Sequence, residues 1–236
     1  TNKIMILGSC FSENIGKKML SYKFKVCVNP FGVLYNPISI KQSLEILLNQ
    51  KFFTENDLFR YNDKWLSFYH DTEFSDENLD LCLDKINLTL KKAIELFENL
   101  DFLFITFGTA HVYQFLETGQ IVTNCHKIPS SYFKKYLLNP EEIISEYKKL
   151  FKDILTLNNK IKIIFTVSPV RYIRDGFEQN QLSKSILIYS IHKICEIFKE
   201  NVFYFPAYEI FIDELRDYRF YADDMIHPSE FSINYL

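Results

Sequence analysis

The chain is 236 residues long, 47% hydrophobic and 17% aromatic, with a formal net charge of −3. That is apolar material for one large core, and too balanced a charge for a broad nucleic-acid or membrane-surface face. No apolar run approaches the roughly 18 residues of a membrane span, and the five cysteines (10, 27, 82, 125 and 195) are odd in number and lack a C-x-x-C pair, which argues against a disulfide framework or a zinc site and for a reducing, cytoplasmic setting.

In chain order, Lys3–Leu7 is a short apolar run that breaks at Gly8 and reads as a buried strand. Asn14–Tyr22 follows with Ile15, Met19 and Leu20 on one helical face. Lys25–Val28 is a second strand, and Pro37–Asn49 a helix opened by proline, with Ile40, Leu44, Leu47 and Leu48 at helical spacing. Phe52–Phe74 is aromatic and loop-like. Asn78–Leu100 is a long amphipathic helix, and Phe102–Thr106 a third strand. His111–Cys125 has the pattern of a hairpin turning near Thr118-Gly119. Helix Pro140–Leu157, strand Ile161–Val167, helix Gln181–Phe198 and strand Val202–Phe205 complete the alternation. The pattern predicts an α/β fold: a parallel sheet in the flavodoxin-like order 2-1-3-4-5 with helices on both faces. A single domain over 1–236 is expected, with insertions around 51–75 and 111–136. Such sheets build sites at the carboxyl ends of strands. Gly8-Ser9-Cys10, Asn29-Pro30-Phe31-Gly32, Phe107-Gly108-Thr109 and Ser168-Pro169 all fall at that edge.

Two motifs at opposite ends carry chemistry. A nucleophile on the strand-to-helix turn after Leu7 gains from the unpaired N–H groups and partial positive charge of the helix N-terminus. These depress a thiol's pKa and hold an oxyanion. Ser9 and Cys10 both qualify by residue type. Near the other end, Asp224 precedes His227 by three residues. Its carboxylate can fix the tautomer of the imidazole, leaving the second ring nitrogen as base; Asp223 is an alternative partner. Pro228 places the pair on a loop entering a helix. His111 and His126, and also His70, lie where they could line a pocket, whereas His192 sits inside an amphipathic helix. Arg171 and Arg174 could hold an anionic substrate group. Only six glycines are present, without a phosphate-loop pattern, so no nucleotide cofactor is indicated, and no metal site is expected.

The set Gly8-Ser9-Cys10-Phe11, Asn29 to Pro37, Phe107-Gly108-Thr109-Ala110, Asn124-Cys125-His126-Lys127, Thr166 to Arg171, Asn180-Gln181-Leu182-Ser183-Lys184 and Asp224 to Ser229 resembles the GSCFA family over nearly the whole chain. That family groups with SGNH/GDSL-type hydrolases. The resemblance implies a three-layer α/β/α fold with a five-stranded parallel sheet. By that register Cys10 stands at the nucleophile position, with Ser9 one residue away. Gly32 and Gly108 match the oxyanion glycines, and Asp224 and His227 match the last block. The asparagine that would complete the oxyanion hole is replaced by Ala110. Its donor is then missing or supplied from elsewhere, for instance by His111 or Asn124.

Two functions are expected from this. One is a hydrolase or acyltransferase on an O-acyl ester, of a small molecule or a saccharide, through a Cys/Ser-His-Asp triad. The other is a catalytically weak or inactive carbohydrate-binding domain on the same fold, with Trp65, Tyr69 and Tyr113 stacking on a sugar. Neither calls for nucleic acid, membrane or cofactor.

Overall fold

The computed structural model describes residues 2–236. Five parallel strands form the main sheet: β1 (Ile4–Gly8), β2 (Val26–Val28), β5 (Phe102–Phe107), β9 (Lys162–Val167) and β10 (Val202–Tyr204). Their order is β10-β9-β5-β1-β2. Counting only these five, that is 2-1-3-4-5, as the alternation predicts. Register is continuous from Ile4↔Phe102 to Gly8↔Thr106 and from Phe102↔Lys162 to Phe107↔Val167.

The two faces of the sheet are covered unequally. Met5, Leu7, Leu103, Ile105, Phe107, Ile163, Phe165 and Val167 point to one side and are all fully buried. They pack beneath α2 (Pro37–Leu48), α3 (Leu79–Phe97), α4 (Pro140–Leu157) and α5 (Gly176–Ile197), whose apolar stripes join them in one core. Tyr147 lies at its centre, fully buried, with its hydroxyl donating to the Pro37 carbonyl at 2.9 Å. On the opposite face lie α1 (Cys10–Ser21) and α7 (Glu230–Tyr235), which touch each other. The result is three layers, α/β/α. A helical turn, α6 (Ala207–Glu209), runs into a π-helical turn at Ile210–Glu214.

Two segments depart from plain alternation. Within the loop-like stretch 52–74, β3 (Phe59–Tyr61) and β4 (Lys64–Leu66) form a hairpin. Its turn residues, Asn62 and Asp63, both have positive φ (48° and 59°), which asparagine and aspartate tolerate. The hairpin expected at Thr118-Gly119 is present as β6 (His111–Phe115) and β7 (Ile121–Val122). A third strand, β8 (Phe133–Leu137), pairs along β6 and extends it to a three-stranded antiparallel sheet. The two lobes meet through Phe59, Phe68, Phe115 and Phe133, with Phe59 and Phe68 ring centroids 4.2 Å apart.

Helix starts also move. α1 begins at Cys10 rather than Asn14, and α5 at Gly176 rather than Gln181. Both extensions are single mixed turns, Cys10-Phe11-Ser12-Glu13 and Gly176-Phe177-Glu178-Gln179-Asn180, too short to show apolar periodicity of their own. No helix of the described residues is long and apolar enough to cross a membrane.

Candidate active site

The turn from β1 into α1 is built by close packing. Gly8 ends β1 at φ 148°, and a Cβ on it would meet the Thr106 carbonyl oxygen at 2.3 Å. Only glycine fits there. Its N–H donates to Asn29 Oδ1 at 2.9 Å, and its carbonyl accepts from Leu34 N at 2.9 Å, so the loop after β2 is pinned to the end of β1. Ser9 is the N-cap, extended at φ −69° and ψ 177°, yet its side chain makes no capping bond. It is 1% exposed, and its Oγ has no partner among the described residues. Cys10, one residue on, is half-buried and reaches a cleft. Against the expectation that the helix N-terminus depresses the thiol, burial is the largest influence and leaves its pKa raised; the N–H groups of Phe11 and of Cys10 itself lower it, Glu13 raises it and the charge of Lys184 lowers it, without reversing the direction.

The second motif is a tight loop. Asp224 Oδ1 accepts from the N–H groups of Ile226 (2.9 Å) and His227 (3.0 Å), while Oδ2 meets His227 Nδ1 at 2.6 Å. Those two N–H groups and the imidazole hold the Asp224 carboxyl down at about 2, the His227 N–H first among them. Nε2 of His227 is left for other partners. Met225, at φ 57°, makes the turn. The loop is fastened from outside by Arg171. Its N–H donates to the Ile226 carbonyl (3.1 Å), its Nη1 to the Met225 carbonyl (3.2 Å), and its guanidinium lies 3.9 Å from the Tyr221 ring centre.

Both motifs open on one cleft of about 400 Å³, walled by Ser9, Cys10, Tyr35, Gly108, Ser168 and His227, with Arg171, Tyr172 and Arg174 along the side. The loops after β1, β2, β5 and β9 therefore meet the Asp224–His227 segment at the carboxyl edge of the sheet. Burial, with Cys10 next, pushes the Tyr35 phenol up to about 12, so it stays protonated. Among the described residues no hydrogen bond joins Cys10 to His227.

The glycines expected to serve an oxyanion are otherwise engaged. Gly32 N donates to the Asn29 carbonyl at 2.8 Å, and the residue does not line the cleft. Its φ of 79° serves packing against Asp71, whose Cβ would lie 2.3 Å from a Cβ on Gly32. Gly108 does line the cleft, but its N–H donates to the Tyr35 carbonyl at 2.8 Å, as does that of Thr109 at 2.9 Å. The N–H groups of Phe11 and Cys10, in the first turn of α1, point at the thiol and remain as main-chain donors beside it.

Behind the cleft, α5 presents three polar side chains on one face. Asn180 Oδ1 accepts from Tyr172 N (2.8 Å), and Ser183 Oγ from Ala110 N (2.7 Å). Lys184 Nζ donates to the carbonyls of Gly108 and Ser168, both at 2.7 Å. Together they staple the loops after β5 and β9. Residue type alone assigns this stretch no role. The available signal was three polar residues at i, i+3 and i+4 in an otherwise apolar stripe.

Other candidates lie elsewhere. His126 Nε2 meets the Ser67 carbonyl at 2.9 Å and Nδ1 meets Thr72 Oγ1 at 3.3 Å; Asn124 also bonds Thr72 and the His126 N–H. Both therefore brace the aromatic lobe and do not line the cleft. His70 is 1% exposed among Phe31, Phe53 and Phe74, and burial pushes its imidazole down to about 3. His111 stays half-buried beside Thr109 Oγ1 at 3.3 Å, outside the cleft lining. Trp65 and Tyr69 pack against the core.

None of the curated proteins matches this chain. The model of the GSCFA family matches residues 3–236, nearly its full length, and the chain belongs to that family.

Proposed function

We propose that this protein is an acyl hydrolase or acyltransferase of the SGNH/GDSL type that acts on the O-acyl ester of a small molecule or a saccharide. The observation that carries this reading is the Asp224–His227 pair, closed at 2.6 Å, opening on the cleft that also holds Cys10. In the proposed reaction His227 Nε2 takes the proton of the Cys10 thiol as the sulfur attacks the ester carbonyl carbon. The first-turn N–H groups of α1 hold the resulting oxyanion. The C–O bond breaks, and the leaving alcohol takes that proton from His227 Nε2. Water or an acceptor alcohol then gives its proton to His227 and attacks the thioester, expelling the Cys10 sulfur, which takes the proton back from His227. Asp224 holds the imidazole in one tautomer and stabilises its charged form.

Cys10 is favoured over Ser9 because a nucleophile must reach solvent-borne substrate. Ser9 is 1% exposed and Cys10 is half-buried at the cleft. A cysteine nucleophile also asks less of an oxyanion hole whose glycine N–H groups are engaged, since its thiolate is intrinsically reactive. Five free cysteines are consistent with a reducing compartment such as the cytoplasm.

The test is incubation with p-nitrophenyl acetate followed by peptide mapping. Acetylation confined to the Cys10 peptide, and absent from the Cys10→Ala variant, is expected. An unmodified Cys10 in folded protein overturns the proposal and favours a binding domain.

A further inference from the structure

The five arginines of the chain divide by their surroundings. Arg60, Arg216 and Arg219 each pair with an aspartate: Asp63 at 3.6 Å, Asp213 at 3.0 Å and Asp217 at 3.1 Å. Among the described residues Arg171 and Arg174 have no carboxylate partner, and both line the cleft that holds Cys10 and His227. Neither aspartate nor glutamate lines that cleft among the described residues. The carboxylates around it are engaged elsewhere. Asp224 is closed on His227 at 2.6 Å, Glu13 is paired with Lys17, Asp175 is paired with Lys135, and Asp71 packs against Gly32. In a chain of net charge −3 this leaves a positive cleft, whose walls concentrate the field.

Arg171 is also held in a fixed plane. Its guanidinium lies 3.9 Å from the Tyr221 ring centre and 5.3 Å from that of Tyr218. Nη1 donates to the Met225 carbonyl at 3.2 Å, which leaves other N–H groups of the fork as donors. The side chain borders a second cavity of about 450 Å³ as well as the cleft, so it is open from two sides. A stacked guanidinium with free N–H groups matches the geometry of a carboxylate or a phosphate. Arg174 stands three residues further along the same wall and is exposed.

We infer that the cleft selects a substrate bearing a negative charge, a carboxylate or a phosphate, which the Arg171 and Arg174 guanidiniums hold while the ester carbonyl lies at Cys10. The placing of the ester rests on the acyl-transfer reading; the selection for an anion does not.

The experiment compares iodoacetate and iodoacetamide, an anionic and a neutral reagent of similar size, in alkylating Cys10 of the full chain, read by peptide mapping. Each rate is divided by that of the same thiol in the urea-unfolded chain, which removes the intrinsic difference between the reagents. On this scale folded wild type should favour iodoacetate by about tenfold. Salt at about 1 M should erase the preference, because these charges face solvent. Arg174→Gln should reduce it severalfold. Absence of the preference in wild type overturns the inference without any variant, and so does a preference that survives both salt and Arg174→Gln. Two ester pairs then locate the charge. Preference for 4-acetoxybenzoate over its methyl ester puts it on the alcohol; preference for phenyl hydrogen succinate over phenyl methyl succinate puts it on the acyl group. Cys10 should be acylated faster by the anion in one pair, and the ratio within that pair should fall in Arg174→Gln; equal rates within both pairs overturn the inference. Failure of the acyl-transfer reading appears separately, as Cys10 that keeps its preference for iodoacetate but is acylated by none of the four esters.

Discussion

Ser9 and Cys10 are neighbours of similar size that both border the cleft but differ in exposure. The Ser9 hydroxyl is buried without a partner, and the Cys10 thiol opens on the cleft. Ser9→Ala should therefore leave acyl transfer within a few-fold of wild type. It should be neutral or stabilising by up to about 1 kcal/mol in urea unfolding, because an unsatisfied buried hydroxyl is removed. Cys10→Ala should lose on the order of 10⁴-fold in acyl-enzyme formation, as members of a triad act as a unit. Asp224→Asn should lose on the order of 10³–10⁴-fold in turnover, because the amide can no longer fix the imidazole tautomer. Lys184 offers a readout of its own at this scale. Its folded-state pKa of about 7 lies below the ordinary 10.5. Between those values the unfolded chain binds a proton that the folded one does not, so stability rises with pH there. Wild type should gain stability over Lys184→Met as pH climbs from about 7 to about 10.5 and show no further gain above it, in pH-dependent urea unfolding.

At the scale of elements, the β1–α1 turn is the narrowest constraint in the fold. Gly8→Ala would force a side chain into left-handed backbone and into the Thr106 carbonyl at 2.3 Å. A loss on the order of 3 kcal/mol is expected in denaturant unfolding, with Cys10 reactivity lost along with it. The main strands were legible because a parallel sheet buries both faces and leaves continuous apolar runs such as Ile4-Met5-Ile6-Leu7 and Ile163-Ile164-Phe165. β8 was not, because Phe133-Lys134-Lys135-Tyr136-Leu137 lies on a small outer sheet whose lysines break the apolar pattern. The Cys10 and Asp224–His227 positions were readable from residue type and spacing. Which donors remain for an oxyanion was not, since the fate of the Gly32 and Gly108 N–H groups depends on the Asn29 and Tyr35 carbonyls, placed by loop geometry. The Arg171 clamp was equally hidden: its partners, Tyr221, Met225 and Ile226, are about 50 residues away in sequence.

For the whole molecule, one large core on one sheet face anchors a site built at the other end of its strands. Five segments distant in sequence meet there: the loops after β1, β2, β5 and β9, and the terminal Asp224–His227 loop. The aromatic lobe stands apart from that chemistry and contributes an acid-sensitive element. His70 is held neutral down to about 3, against 6.5 for a free imidazole. In that window the unfolded chain takes up a proton that the folded one refuses, so stability is complete above about 6.5 and falls as pH drops toward 3. His70→Leu should flatten this loss, measured as urea midpoint against pH, while Cys10 alkylation stays at the wild-type rate. If Cys10, activated by His227, is the acylated residue, the rate of acetyl-Cys10 formation from p-nitrophenyl acetate, read by mass spectrometry near neutral pH, depends on the imidazole. Acetylation at Cys10 should slow by on the order of 10²-fold or more in His227→Ala; acetylation at Ser9, or at Cys10 with the same rate in both proteins, rules out Cys10 as a His227-activated nucleophile.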